Sequence, residues 1–392
     1  MDPGGKIHIR LSWDGARINS VELAPRHSVE AIELLRRKTG QQAVNLIPLL
    51  FSLCGKAQGV AGAMALEAAR GVAAPAETAK WRERLVRSEA IQEALWRFLL
   101  DVPKIVAQPP MVAEFTELRR GFARVLDPVL SRDGWKTAGG QIDAPDAGIW
   151  MGLAGQVQEF LSTKLLGMPL PEWRRMLSVQ DMEHWLDGRT TPLAATLCKL
   201  WAGKGRWGGG GVPLLPPLRR GEMLNHVLPE LERERNFAML PCWQGAPAET
   251  GALARMAGHP LISTLLEREG STIFVRLLAR LLEVVELGES MDADEQHPPW
   301  LESASLGTSE GAAWVQTARG LLVHRLALDT DGKVADYRIV APTEWNFHSQ
   351  GAYTCGLTGR PATTPDEARE AAELLLLALD PCVAYEVELN HA

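Results

Sequence analysis

The chain has 392 residues, 46% of them hydrophobic and 23% charged, with a net charge of −7. That balance suits a globular chain with a sizeable core, and it argues against nucleic-acid binding, which needs a basic field to neutralise phosphates. No apolar run approaches the roughly 18 residues of a membrane span and no N-terminal stretch has the order of a signal peptide, so a cytoplasmic protein is expected.

Lys6 to Leu23 alternates apolar and polar residues around Asp14-Gly15, which predicts a hairpin. Ser28, with Glu30 behind it, caps a short helix through Leu35. Ala43 to Ala69 is a long Ala- and Leu-rich stretch, read as an element that ends near Cys54 and a core helix that begins near Gly55. Gly55, Gly59 and Gly62 permit close backbone approach, at about 1 kcal/mol each inside a helix.

Helical patterns follow at Thr78–Leu100, Pro110–Leu126, Ile149–Leu166, Leu170–Trp185, Thr190–Trp201 and Ser271–Leu287. Two connections are expected to be flexible, 203–217 with its glycines and prolines and 288–310 with its acidic run Glu289–Trp300. The first contains Lys204 but lacks the spacing of a phosphate loop. Gly320–Leu328 and Val334–Ala341 read as strands around Asp331-Gly332, and Asp366–Leu379 as a helix behind Pro365 with an acidic first turn. The whole reads as one α+β domain, mainly α-helical, with small β hairpins near both ends.

Five cysteines occur, at 54, 198, 242, 355 and 382, with no CxxC pair, so neither a disulfide framework nor a structural zinc site is suggested. Cys198, Cys242 and Cys355 are expected to be small buried apolar residues.

Four segments carry the functional signal: Cys54-Gly55, Ala318-Arg319-Gly320, the block VAPTEWN from Val340 to Asn346, and Asp380-Pro381-Cys382. In that order they resemble the large subunit of nickel–iron hydrogenases, where a CGxC and a DPCxxC supply four thiolates and the two segments between them surround the cyanide ligands of the iron. The resemblance implies that family's helical core, and it covers both ends of the chain better than the middle, about 70–310. The departures are specific. Ala57 and Tyr385 stand where the second cysteine of each pair belongs, so the bridged bimetallic core cannot be built and no nickel is expected. Ala61 and Glu388 replace two histidines, Gly4 falls where a proton-transferring glutamate is expected, and only four residues follow Glu388, leaving no peptide for a maturation protease.

What remains is Cys54 and Cys382 as soft ligands for low-spin iron, Arg319 as a fork of donors for an anion, Thr343 with its hydroxyl, Pro342 shaping the backbone, and Asp380. This set resembles the HupK/HoxV family of hydrogenase maturation scaffolds. The resemblance implies a non-enzymatic carrier of an Fe(CN)2(CO) fragment, working with a HypC-type chaperone, a HypC–HypD type assembly complex and a hydrogenase large subunit. Two other readings stay open: a minimal redox enzyme using two cysteines, and a metal-free module that docks maturation chaperones.

Overall fold

The two ends of the chain meet in one sheet. In a computed structural model that describes residues 6–24, 32–292 and 299–391, strand β1 (Lys6–Trp13) pairs antiparallel with β2 (Ile18–Leu23) on one side and parallel with β7 (Ala384–His391) on the other. Ile7, Ile9 and Leu11 point inward from β1, while their neighbours stay exposed. The N-terminal hairpin is thus present as expected and acquires a third strand. That strand was not legible because β7 is an edge strand with mostly exposed residues and no clean alternation. Gly4 and the segment with Ser28 and Glu30 lie outside the described residues.

The central elements are α1 (Gly40–Leu50), α2 (Gly55–Arg70) and α3 (Ala76–Trp96). α1 opens with a capping box, Thr39 against Gln42. The chain between α1 and α2 bends by 101°, with Cys54 at the corner. Gly59 makes the corner possible, since a Cβ there would lie 2.6 Å from the Trp135 ring and 2.9 Å from Pro48. No single helix among the described residues is long and apolar enough to cross a membrane; α1 and α2 pass the test only as this bent pair, and the inner face of α1 and most of α2 are buried.

Further helices follow the expected order with shifted ends: α4 (Val112–Leu130), α5 (Ala147–Phe160), α6 (Val179–Gly188), α7 (Pro192–Trp201), α8 (Pro260–Glu269), which was not anticipated, and α9 (Ile273–Glu289). The pattern over Leu170–Trp185 breaks in two, because Ser178 starts a new capping box with Asp181. α9 is buried along nearly its whole length.

A second sheet takes the order β3 (Leu301–Gly307), β4 (Glu310–Thr317), β5 (Gly320–Leu328), β6 (Val334–Val340), all antiparallel. The expected hairpin is β5–β6. β3 and β4 fall in or beside 288–310, so the later part of that connection is strand rather than flexible chain; 293–298 lie outside the described residues. Both faces of this sheet are covered. Ala313, Val315, Leu322 and Leu326 face the main core, whereas Ala312, Trp314, Leu321 and Val323 face a smaller one with Leu228, Leu231 and Phe237. Two-sided burial removes the polar–apolar alternation that marks a strand in sequence.

The other connection is also tied down: Arg276 donates to the Gly208 carbonyl at 2.9 Å, Ile273 N–H donates to Trp207, and Leu214 pairs with Glu249. The chain closes with α10 (Pro342–Asn346) and α11 (Pro365–Leu379), which leads into Asp380 and β7.

Candidate functional site

Cys54 is 8% exposed and immediately precedes α2, whose first N–H groups would otherwise lack partners. A neighbouring helix supplies the cap: Glu89 of α3 accepts from Lys56 N–H at 3.0 Å and Ala57 N–H at 2.9 Å. Ala57 is fully buried and offers only a methyl group where a second thiol would stand.

Cys382 arrives from the opposite end of the chain. Helix α11 stops at Asp380, which takes a left-handed conformation (φ 55°) and gives its N–H to Leu376. Pro381 cannot continue a helix, and Cys382 is carried across to the end of α10. There Thr343 Oγ1 lies 3.0 Å from Cys382 Sγ and also accepts the Cys382 N–H at 3.3 Å. Pro342 occupies the first position of α10 and is buried, so its part is to set the backbone that presents Thr343.

The two thiols are close enough to hydrogen-bond to each other. That hydrogen bond, then burial, then the charges of Cys382, Glu89 and Glu93 hold the Cys54 thiol well above the ordinary cysteine range. In the absence of a metal ion, therefore, Cys54 keeps its proton.

Arg319 lies on the turn between β4 and β5, where its position depends on Gly320. That glycine sits at φ 129°, and a Cβ on it would come within 2.4 Å of the Thr250 side chain. Asn346 at the end of α10 donates to the Arg319 carbonyl at 3.4 Å and accepts the Thr250 N–H at 2.9 Å, binding three segments together. The Arg319 side chain is buried and pairs with Glu93 of α3; its Nε is 3.5 Å from Asp380 Oδ1 and has no hydrogen-bond partner. Burial alone would favour the neutral guanidine, but the negative charge around it, that of Asp380 above all, outweighs burial and keeps Arg319 charged.

Asp380 is the hub of a charge cluster. Arg97 Nε donates to it at 2.7 Å, and Arg319 and Arg280 add positive charge. Burial opposes its ionisation, yet these three guanidinium groups hold its carboxyl below the usual range. Glu93 shows the opposite balance: burial, against the pull of Arg319 and with the repulsion of Glu89 and Asp380, pushes it up to about 8. A cavity of about 300 Å³ opens beside this cluster, lined by Leu53, Lys56, Glu93, Trp96, Arg97 and Arg319.

The structure therefore brings Cys54, Cys382, Arg319, Thr343 and Asp380 to one place from segments more than 300 residues apart. Glu89, Glu93 and Arg97 were missed, although their four-residue spacing puts them on one face of a helical pattern. Tyr385 is 47% exposed on β7 and Glu388 pairs with Arg10 on the same sheet. Among the other cysteines, Cys355 is exposed and Cys198 and Cys242 are half-buried, contrary to expectation. Cys355 Sγ meets the Gln350 carbonyl at 3.4 Å, and Cys242 Sγ lies 3.9 Å from both the Leu240 carbonyl and His348 Nε2.

Comparison with known proteins gives the same direction. Residues 252–388 match the family model for nickel-dependent hydrogenase. The chain is 31% identical to the hydrogenase expression/formation protein HoxV of Cupriavidus necator, over 92% of this chain and 91% of that one. It is 30% identical to the hydrogenase expression/formation protein HupK of Azotobacter vinelandii, over 99% of both. In fold it is similar to the Ni-Fe-Se hydrogenase of Desulfomicrobium baculatum, with a TM-score of 0.64 over 95% of each chain at 14% identity.

Proposed function

The chain belongs to the HupK/HoxV family of hydrogenase expression/formation proteins, and on that premise we propose that it is a maturation scaffold carrying an Fe(CN)2(CO) fragment as cargo, with no hydrogenase activity of its own. The observation that carries this reading is the partial thiol set. Two adjacent cysteines survive beside a buried guanidinium whose Nε has no hydrogen-bond partner, while Ala57 offers no ligand atom and Tyr385 lies half-exposed on a strand. Soft thiolates suit low-spin iron, and an unsatisfied cationic donor suits the nitrogen end of a cyanide. Nickel is not expected, because the bridging sulfurs it needs are missing.

Cargo uptake on this reading costs Cys54 its proton, since a thiolate is the ligand form. The partners are a HypC-type chaperone, the HypC–HypD type complex that hands over the fragment, and the hydrogenase large subunit that receives it, all in the cytoplasm. The chain would be purified from cells making the maturation proteins and compared with Cys54→Ala and Cys382→Ala for iron content and for infrared cyanide and carbonyl bands. Bands in the wild type that vanish in both variants support the scaffold. Full bands in both variants would sink it, as would stoichiometric nickel; a wild type without bands favours the metal-free module.

A further inference from the structure

From Cys54 a line of buried polar groups runs through Gln58, His324 and Tyr337 that no part of the iron reading uses. Gln58, one turn into α2, places its Nε2 3.7 Å from Cys54 Sγ. Its Oε1 is 2.9 Å from Nε2 of His324 on β5, and His324 Nδ1 is 2.8 Å from the hydroxyl of Tyr337 on β6. Gln58, His324 and Tyr337 are each 2% exposed or less. Buried polar groups are costly unless every one is paired, and here the pairing ends on a sulfur.

The chemistry of that sulfur fixes the direction of the whole line. An iron-bound thiolate carries no proton, so Gln58 must turn its NH2 toward it. Its carbonyl oxygen then faces His324, which must present Nε2–H, and Nδ1 must accept from the Tyr337 O–H. We infer that Gln58, oriented by His324 and Tyr337, is a positioning residue that donates a hydrogen bond to Cys54 and tempers the electron donation of its thiolate to iron. The inference rests on the cargo reading above for its consequence and for the thiolate that fixes the direction; independently of it, Gln58 Nε2 already lies 3.7 Å from Cys54 Sγ. Burial supports it by keeping His324 neutral, with its pKa pushed down to about 3, and by holding Tyr337 protonated. Gly62 leaves room for the Tyr337 hydroxyl against α2, where a Cβ would sit 3.3 Å from that oxygen.

Hydrogen bonds to ligand sulfurs tune iron centres. Without the donor, the thiolate gives more density to iron, more density passes into the carbonyl antibonding orbitals, and the carbonyl stretch falls. Tyr337→Phe should act at a distance in the same direction. Without the Tyr337 O–H, His324 Nδ1 loses its donor and the ring no longer holds Gln58 in a single pose, so the donor at the sulfur is weakened rather than removed.

The test uses the full chain with two readouts. In protein loaded in cells, infrared spectra of Gln58→Leu and Tyr337→Phe should both show the carbonyl stretch moved to lower wavenumber relative to wild type. Unmoved bands in Tyr337→Phe, with iron retained, overturn the inference even if Gln58→Leu fails to fold. In the iron-free protein, 15N spectra of labelled histidine should show His324 as the Nε2–H tautomer, changing in Tyr337→Phe. An Nδ1–H tautomer in the wild type overturns the inference. If the wild type carries no cyanide or carbonyl bands, the scaffold reading fails and the tautomer alone decides the line of donors.

Discussion

The two cysteines at the centre of the site live in unlike surroundings. Cys54 is wedged into a 101° corner between helices, capped by a carboxylate from α3 and backed by Gln58. Cys382 is half-buried on a short crossing between α11 and an edge strand, and it meets the hydroxyl of Thr343 as well as the Cys54 thiol. Helix packing fixes the first thiol. The second hangs on a tight reversal at Asp380, and its place depends on charges converging there. The difference teaches that one side of the pair is built into the core and the other is held electrostatically.

Breaking the electrostatic side should have the largest effect. Asp380→Ala leaves the buried Arg280 and Arg319 and the half-buried Arg97 without their common carboxylate. Removing one partner from a buried charge cluster costs about 3–5 kcal/mol, and denaturant unfolding should show a loss of that size. A loss within about 0.5 kcal/mol would mean that the arginines find water instead.

Next comes Arg319→Ala, which removes the donor beside the thiols. A charge-assisted hydrogen bond is worth roughly 1.5–3 kcal/mol, so iron retention should weaken by about one to two decades. The iron left after dialysis against a chelator measures it, and wild-type retention would show that Arg319 does not touch the cargo.

Glu93 sharpens the comparison through pH. It binds its proton more tightly in the folded chain, at about 8, than in the unfolded one, near 4.5. The stability this proton contributes is therefore full below pH 4.5 and is lost as pH rises through about 8. Glu93→Gln should flatten that decline, so denaturation midpoints at pH 5 and pH 8.5 should differ less than in the wild type. An equal difference in both proteins would place the ionisation elsewhere.

The smallest effect belongs to Thr343→Val, which keeps the shape and deletes the hydroxyl at Cys382. A loss of about 0.5–1.5 kcal/mol is expected, with Thr343→Ser restoring most of it. Cys54→Ala in the same background should depart from full additivity, because Thr343, Cys382 and Cys54 form one hydrogen-bonded chain.

Sequence alone was enough to mark the segments that meet at the candidate site. Cys54-Gly55, Arg319-Gly320, Pro342-Thr343 and Asp380-Pro381-Cys382 were legible because, in that order, they resemble the motifs of the nickel–iron hydrogenase large subunit; the backbone roles of Gly320, Pro342 and Pro381 are local and act within a few residues. The hairpins at Asp14-Gly15 and Asp331-Gly332, and the helices with a clear 3.6-residue period, were legible because their signals are local too. Only the folded chain decided the rest. β4 has no alternation because both its faces are buried, and β7 becomes a strand only because β1, nearly 380 residues away, offers it an edge. Glu89, Glu93, Arg97 and Gln58 acquire their roles from partners on other elements. A charge or a hydrogen bond takes its meaning from what lies across the gap, and distance along the chain does not record that.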